Sequence, residues 1–179
     1  MRLFIAIELP AEIKEHLEQL QKRIDGHFAQ LTLAKEIHLT LKFLGEVNEQ
    51  KLAELKQKLD KIDFGEFAVS LGKIGIFPDE HYVKVVWVGV EPENSIVALQ
   101  QKIEKSLAGL FEQDTRFTSH LTLARVKFVK DKKMFIENLK KLAAEKKEFL
   151  VSSFKLIKST LTPKGPVYET IAEFKATSF

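Results

Sequence analysis

Two copies of the tetrapeptide HLTL carry the residues best suited to chemistry. One begins at His38 and the other at His120, 82 positions apart, in a chain with only five histidines. Alternate residues of a strand point to the same face, so each copy places an imidazole beside a hydroxyl and directs its leucines to the opposite face. We therefore predict one functional site that contains both histidines together with Thr40 and Thr122.

Two imidazoles and two hydroxyls match acid–base chemistry on a phosphodiester. The ordinary histidine pKa near 6.5 allows one ring to accept a proton while the other donates one around pH 7. Threonine hydroxyls can donate hydrogen bonds to phosphate oxygens and stabilise charge that develops there. Such a site needs no metal, and the sequence shows no third ligand at a recognisable spacing, so we predict neither metal nor cofactor. A metal held by the two histidines is the alternative.

The remaining histidines lack a partner pattern. A single histidine on a helix, strand or turn is more often structural than catalytic. We interpret His16, His27 and His81 in this way.

The repeat extends beyond the tetrapeptides. At the same offset of 82, Pro10 aligns with Pro92, and FAVS at 67–70 aligns with FLVS at 149–152. We infer an internal duplication and predict one compact domain, residues 1–179, of two pseudo-symmetric lobes. If a pseudo-two-fold axis relates the lobes, the two His/Thr pairs face each other across a central cleft.

Hydrophobic periodicity predicts the same order of elements in both halves. The predicted helices span 11–25, 49–61, 94–108 and 131–146. The predicted strands span 2–8, 36–44, 66–76, 82–90, 117–127, 149–161 and 167–175. The sequence contains no linker or low-complexity stretch, which favours one α+β unit.

Composition excludes several classes of protein. The net charge is only +3, from 28 basic and 25 acidic residues, which argues against a polybasic nucleic-acid binder. No apolar run approaches the length of a membrane span, and the opening MRLFIAIELP is typical of a first strand and not of a signal peptide. Without cysteine there is neither a disulfide framework nor a thiolate zinc site, so we expect a cytoplasmic protein.

Four segments together resemble the 2H phosphoesterase superfamily, namely HLTLKFLGEV, HLTLARV, the opening RLFIAIELP and the late GPVYE. More narrowly, they are similar to its RNA 2′,3′-cyclic phosphodiesterase branch, also called 2′-5′ RNA ligases. The resemblance implies a bilobal α+β fold with two antiparallel sheets, flanked by helices, around a central cleft. It also implies metal-independent hydrolysis of a terminal 2′,3′-cyclic phosphate to a 2′-phosphomonoester, with related joining or cleavage of 2′-5′ linkages in tRNA half-molecules.

The same resemblance assigns roles to individual residues. His38 would be the proton donor to the leaving oxygen, and His120 the base that activates water. Thr40 and Thr122 would hold the non-bridging phosphate oxygens, and Arg125 matches a family position near the phosphate. Simple alternation directs Arg125 away from His120, so its strand must end or bulge there.

Further residues have two possible interpretations each. Lys42 shares the face of His38 if the strand runs straight, and it would either attract the anion or be a solvated strand residue. Phe43, Trp87 and Phe117 could stack a terminal base, although core packing is the more common role of an aromatic side chain.

Alternatives remain for the substrate and for the class of protein. The expected partners are RNA ends or small nucleotides with a cyclic phosphate, with no membrane, and we expect a monomer. The same site could instead hydrolyse small cyclic nucleotides or 2′-5′ oligonucleotides. From another class, the chain could be a non-catalytic RNA-end or nucleotide-binding module. Intact histidine and threonine in both motifs argue against that last alternative.

Overall fold

Four helices and nine strands make up the computed structural model, which describes residues 1–177. The helices are α1 Ala11–Lys22, α2 Glu49–Asp60, α3 Glu93–Ser106 and α4 Lys132–Lys140. The strands are β1 Arg2–Glu8, β2 Ala29–Leu33, β3 His38–Glu46, β4 Phe67–Asp79, β5 Tyr82–Glu91, β6 His120–Val129, β7 Glu148–Val151, β8 Ser153–Thr162 and β9 Gly165–Lys175. Within residues 1–177 no helix is long and apolar enough to cross a membrane. The arrangement confirms the predicted α+β class.

Side-chain caps explain where two of the helices begin. Asn48 accepts a hydrogen bond from the backbone N–H of Lys51 at the start of α2. Asp131 accepts one from the N–H of Met134 at the start of α4. Each cap satisfies a backbone donor that the first helical turn leaves without a partner.

Two helices end at least three residues earlier than periodicity predicts. Helix α4 ends at Lys140 and not at residue 146, because the chain turns back to β4, where the carbonyl of Lys147 accepts a hydrogen bond from the N–H of Leu71 at 3.0 Å. Helix α1 ends at Lys22 and not at residue 25. Its last turn tightens to i→i−3 hydrogen bonds, such as that from the N–H of Ile24.

The strands form one antiparallel sheet and not the two that the resemblance implies. Their order is β7-β4-β5-β6-β3-β1-β8-β9, and β2 pairs with β6. The two halves join where β3 and β6 pair through Leu39 and Leu121. At this point β3 and β6 each have a neighbour on only one side, β1 and β5 respectively. Hydrogen bonding between their two remaining edges joins the halves into one sheet.

Tertiary pairing also corrects two strand predictions. The strand expected over 149–161 is two strands separated at Ser152, because β7 pairs with β4 at one end of the sheet and β8 pairs with β1 near the other. Strand β2 was not predicted; it pairs with β6 along Ala29–Leu33, where β3 has diverged from β6. The strand expected to begin at residue 117 begins at His120.

The main hydrophobic core lies between the helices and one face of the sheet. Leu39 and Leu121 belong to it, together with Leu17 of α1 and Ile103 of α3. Each of these side chains is at most 1% exposed, and burial to this extent contributes roughly 2 kcal/mol apiece. The histidines and threonines of the two motifs, which alternate with these leucines, therefore lie on the opposite face of the sheet.

Candidate active site

The two motifs lie side by side on neighbouring strands of the continuous sheet. Strand β3 begins at His38 and β6 begins at His120, and the cross-strand pair Leu39–Leu121 lies between them. In an antiparallel ladder, residues diagonal across such a pair are roughly 7–8 Å apart. The histidines are therefore on one face at the centre of the sheet, close enough to contact the same phosphate.

The threonines complete this arrangement. In both motifs the burial pattern alternates, with half-buried histidine and threonine and buried leucine. The register that pairs Leu39 with Leu121 places His38 beside Thr122 and Thr40 beside His120. Each imidazole is thus next to the hydroxyl of the other motif.

A β-bulge directs Arg125 to the same face. The register between β5 and β6 skips Leu123, which remains buried together with Ala124. The extra residue reverses the alternation, so exposed Arg125 points to the side of Thr122. This is the geometry that its predicted role requires.

The equivalent bulge in β3 contradicts both interpretations of Lys42. The register with β1 skips Leu41, so Lys42 points into the core and is 3% exposed. Its Nζ lies 2.9 Å from a carboxylate oxygen of Glu104 and donates to the carbonyl of Glu112 at 2.7 Å. Phe43 takes the side of the histidine instead, with 70% of its surface exposed.

The other two aromatic candidates have separate locations. Trp87 packs near His120, with 6.1 Å between ring centroids, and Phe77 meets the same imidazole edge-on at 4.9 Å. Phe117 packs against the main core and lines a cavity of about 410 Å³ beside α3. Core packing is therefore the interpretation that applies to Phe117.

A backbone contact determines the tautomer of His120. Its Nδ1 lies 2.8 Å from the carbonyl oxygen of Thr118. A carbonyl can only accept a hydrogen bond, so Nδ1 carries the proton of the neutral ring. Nε2 is then the nitrogen with a free lone pair, as a base requires.

His38 has an apolar environment. Phe4 stacks on its ring with 4.9 Å between centroids and a 30° interplanar angle, and Tyr168 meets it edge-on at 5.2 Å. Burial lowers the pKa of His38 to about 4; a hydrogen bond to the backbone of Glu36 partly opposes this, and the charge of Lys14 adds to it. The free protein therefore holds His38 neutral at pH 7.

The depressed pKa of His38 predicts a pH-dependent stability. Below about pH 6.5 the unfolded chain protonates His38 before the folded protein does, so wild type loses stability as the pH falls towards 4. The loss amounts to about 3 kcal/mol and is absent above pH 6.5. Urea unfolding at pH 7.5 and 4.5, compared with His38→Gln, measures it. An equal change in both proteins contradicts the prediction.

The other histidines lie outside this face. Nε2 of His16 accepts a hydrogen bond from the N–H of Glu145 at 3.1 Å, and His27 packs edge-on against Phe28. His81 is exposed in the turn between β4 and β5. Among residues 1–177, no three His, Cys, Asp or Glu side chains come together as a metal-binding group.

Three residues at this face were not among the predicted site residues, namely Phe4, Phe77 and Tyr168. The first two belong to apolar runs that are indistinguishable from core strands. Tyr168 lies in the GPVYE segment that contributes to the resemblance, but it is remote from both motifs along the chain.

Comparison with known proteins identifies the family. The family model described as LigT like phosphoesterase matches residues 7–87 and again residues 88–168. The chain belongs to the LigT-like phosphoesterases. This membership confirms the predicted resemblance.

Its relatives and solved structures agree with that assignment. The chain is 38% identical to a protein of Methanocaldococcus jannaschii named RNA 2′,3′-cyclic phosphodiesterase, over 97% of this chain and 100% of that one. A protein of the same name from Archaeoglobus fulgidus is 35% identical, over 98% of this chain and 100% of that protein. The crystal structure of TT0787 of Thermus thermophilus superposes with a TM-score of 0.83 at 28% identity, covering 98% of this chain and 97% of that one. The crystal structure of Escherichia coli LigT complexed with 3′-AMP superposes with a TM-score of 0.78 at 26% identity, covering 99% of this chain and 98% of that one.

Proposed function

We propose that this LigT-like protein is an RNA 2′,3′-cyclic phosphodiesterase, which opens a terminal cyclic phosphate to a 2′-phosphomonoester. The observation that carries the proposal is the placement of both His/Thr pairs around Leu39–Leu121 on one open face. The names of its relatives from two archaea support the same reaction.

In the proposed reaction, His120 acts as the base and His38 as the acid. Water attacks phosphorus while Nε2 of His120 takes its proton, which the tautomer set by Thr118 allows. The bond from phosphorus to O3′ breaks, and O3′ takes a proton from His38. The products are a free 3′-hydroxyl and a 2′-phosphate, and solvent returns the proton from one imidazole to the other.

Three polar side chains are proposed to hold the phosphate. Thr40 and Thr122 donate hydrogen bonds to the non-bridging oxygens, on which negative charge increases during attack. Arg125, turned to this face by its bulge, supplies positive charge. Phe43 offers an exposed ring for the terminal base, a contact that any base can make by stacking.

The proposed roles require a bell-shaped dependence of kcat/KM on pH. His38 must carry a proton, and above its pKa of about 4 the protonated fraction in the free protein falls tenfold per pH unit. The base must be neutral, which opposes activity at low pH, and the two limbs belong to the coupled pair. Initial rates from pH 4 to 9 measure the profile. A rate that rises to a plateau at high pH contradicts the acid role of His38.

The experiment that tests the function uses an RNA oligomer ending in a 2′,3′-cyclic phosphate, incubated with the protein in EDTA. We expect a product that carries only a 2′-phosphate, and an oligomer ending in 3′-phosphate should stay unchanged as the matched control. Loss of activity in EDTA with recovery on adding zinc would overturn the metal-free mechanism. Binding with an intact cyclic end would indicate a binding module, and turnover of cyclic nucleotides alone would indicate a small-molecule substrate.

Several finer properties belong to the same proposal. Joining of 2′-5′ linkages would be the reverse chemistry at the same phosphate. The two matches to the family model and the single continuous sheet support one domain, residues 1–179, of two pseudo-symmetric lobes. We also propose a monomer located in the cytoplasm, where a chain without cysteine needs no oxidising compartment.

A further inference from the structure

The sheet is pseudo-symmetric about the Leu39–Leu121 pair, but its two ends differ. Strands β3, β1, β8 and β9 follow on one side, and β6, β5, β4 and β7 follow on the other. The outermost strand is 11 residues long in β9 and only 4 in β7. Strand β7 pairs with Phe67–Ser70, away from the Phe77 that contacts His120. The longer β9, by contrast, carries Tyr168 to His38.

Tyr168 closes a small apolar cluster around His38. Its ring meets the imidazole at 89° and Phe4 at 74°, with centroid distances of 5.2 and 5.3 Å. Phe4, Ala6 and Ile157 form an apolar cluster separate from the main core, and Tyr168 packs against it. The cluster lies on the face of the sheet that carries the catalytic candidates. Apolar side chains in this position exclude water from one histidine of the pair.

We propose that Tyr168 is a positioning residue, which holds the His38 imidazole against Phe4, keeps water from it and so makes the two histidines of a duplicated motif unequal. Its effect on catalysis rests on the proposed function, whereas its effect on His38 can be measured without any substrate.

The charged groups around His38 and Tyr168 contribute less to the neutral state of His38 than burial does. They are Arg2 and Glu8 of β1, Lys14 of α1, Glu36 of the preceding loop, Arg125 of β6 and Lys155 of β8. Glu8 is the cross-strand neighbour of His38 and pairs with both Lys14 and Lys155, so these three side chains carry one net positive charge. The charge of Lys14 lowers the pKa of His38 further, but by less than burial does. Burial is the largest cause of the lowered pKa, and the rings of Phe4 and Tyr168 are both in contact with the imidazole.

The test follows the titration of the His38 imidazole by NMR in substrate-free protein. Tyr168→Phe keeps the ring and should leave the pKa near 4, within about half a unit. Tyr168→Ala opens the cover and should raise the pKa by about one unit or more towards 6.5. Tyr82→Ala removes an exposed tyrosine at the first residue of β5, a strand that pairs with β6 and not with β3, and should leave the pKa of His38 unchanged. Tyr168→Leu, which keeps apolar bulk, should give an intermediate shift and replaces the alanine variant if that variant does not fold.

An unchanged His38 pKa in a folded alanine or leucine variant would overturn the proposal. In the hydrolysis assay, the phenylalanine variant should keep the wild-type pH profile. The alanine variant should lose at least about tenfold in kcat at its optimum pH, because its imidazole is no longer held in place, and its profile should shift to higher pH as the pKa of His38 rises. A fall in activity with the wild-type pH profile would show a merely structural role and would also overturn it. If wild type hydrolyses no cyclic phosphate, the proposed function fails, but the titration still decides the role of Tyr168.

Discussion

Replacing His120 with alanine should lower kcat/KM for RNA ending in a 2′,3′-cyclic phosphate by about 10²- to 10⁴-fold. Without Nε2 of His120, the attacking water lacks the base that is proposed to take its proton. His38→Ala should cause a loss of the same order, because O3′ would then leave without a proton. Both losses should appear mainly in kcat, since the threonines and Arg125 that are proposed to hold the phosphate remain.

His81→Ala is the matched control, because this histidine is exposed in a turn away from the site. It should retain activity within about twofold. Residual pH profiles separate the two roles. In His120→Ala the remaining rate should fall as the pH rises, since only the acid is left, and in His38→Ala it should rise with pH. If either alanine variant keeps wild-type kcat/KM in its folded form, the two-histidine mechanism is wrong.

Replacing Lys42 with methionine should lower the free energy of unfolding by about 3–5 kcal/mol. The substitution leaves Glu104 charged in a site where its side chain is 10% exposed. Gln100 still donates to that carboxylate at 3.1 Å, and the N–H of Asp114 at 3.3 Å, but neither supplies a compensating charge. The carbonyl of Glu112 also loses its donor. Urea unfolding at pH 7 measures the change.

Two further variants test the cause of that loss. Lys42→Met combined with Glu104→Leu removes both charges and should recover most of the lost stability, because an apolar pair of similar volume avoids the unpaired ion. Lys58→Met breaks the exposed pair with Glu54, which lies at 3.9 Å, and should cost less than about 1 kcal/mol. A single variant at Lys42 that unfolds like wild type would show that the buried ion pair is energetically unimportant.

The sequence was informative where local rules and tertiary structure agree. Alternation within HLTL correctly separated His38 and Thr40 from the buried leucines, because a straight strand has a period of two. Periodicity also located the start of helix α2, which begins at Glu49 as predicted, and the structure shows that Asn48 caps it there.

Local rules failed where the strands bulge. Straight alternation put Lys42 on the face of His38, but the bulge at Leu41 buries it and exposes Phe43 instead. The requirement that the strand of Arg125 end or bulge was recognised, yet only the register with β5 locates the extra residue at Leu123. A bulge depends on the partner strand, so one strand's own sequence does not specify it.

The α+β class, the family and the duplicated motif could be predicted before folding, because repeated residues and hydrophobic periodicity are properties of the linear chain. Three features became apparent only in the folded protein: one sheet joins the halves, the bulge at Leu41 buries Lys42 and exposes Phe43, and Tyr168 covers His38. Each of these depends on pairing between residues distant along the chain. Two identical tetrapeptides thus acquire different environments, since β9 reaches one histidine and the shorter β7 pairs elsewhere.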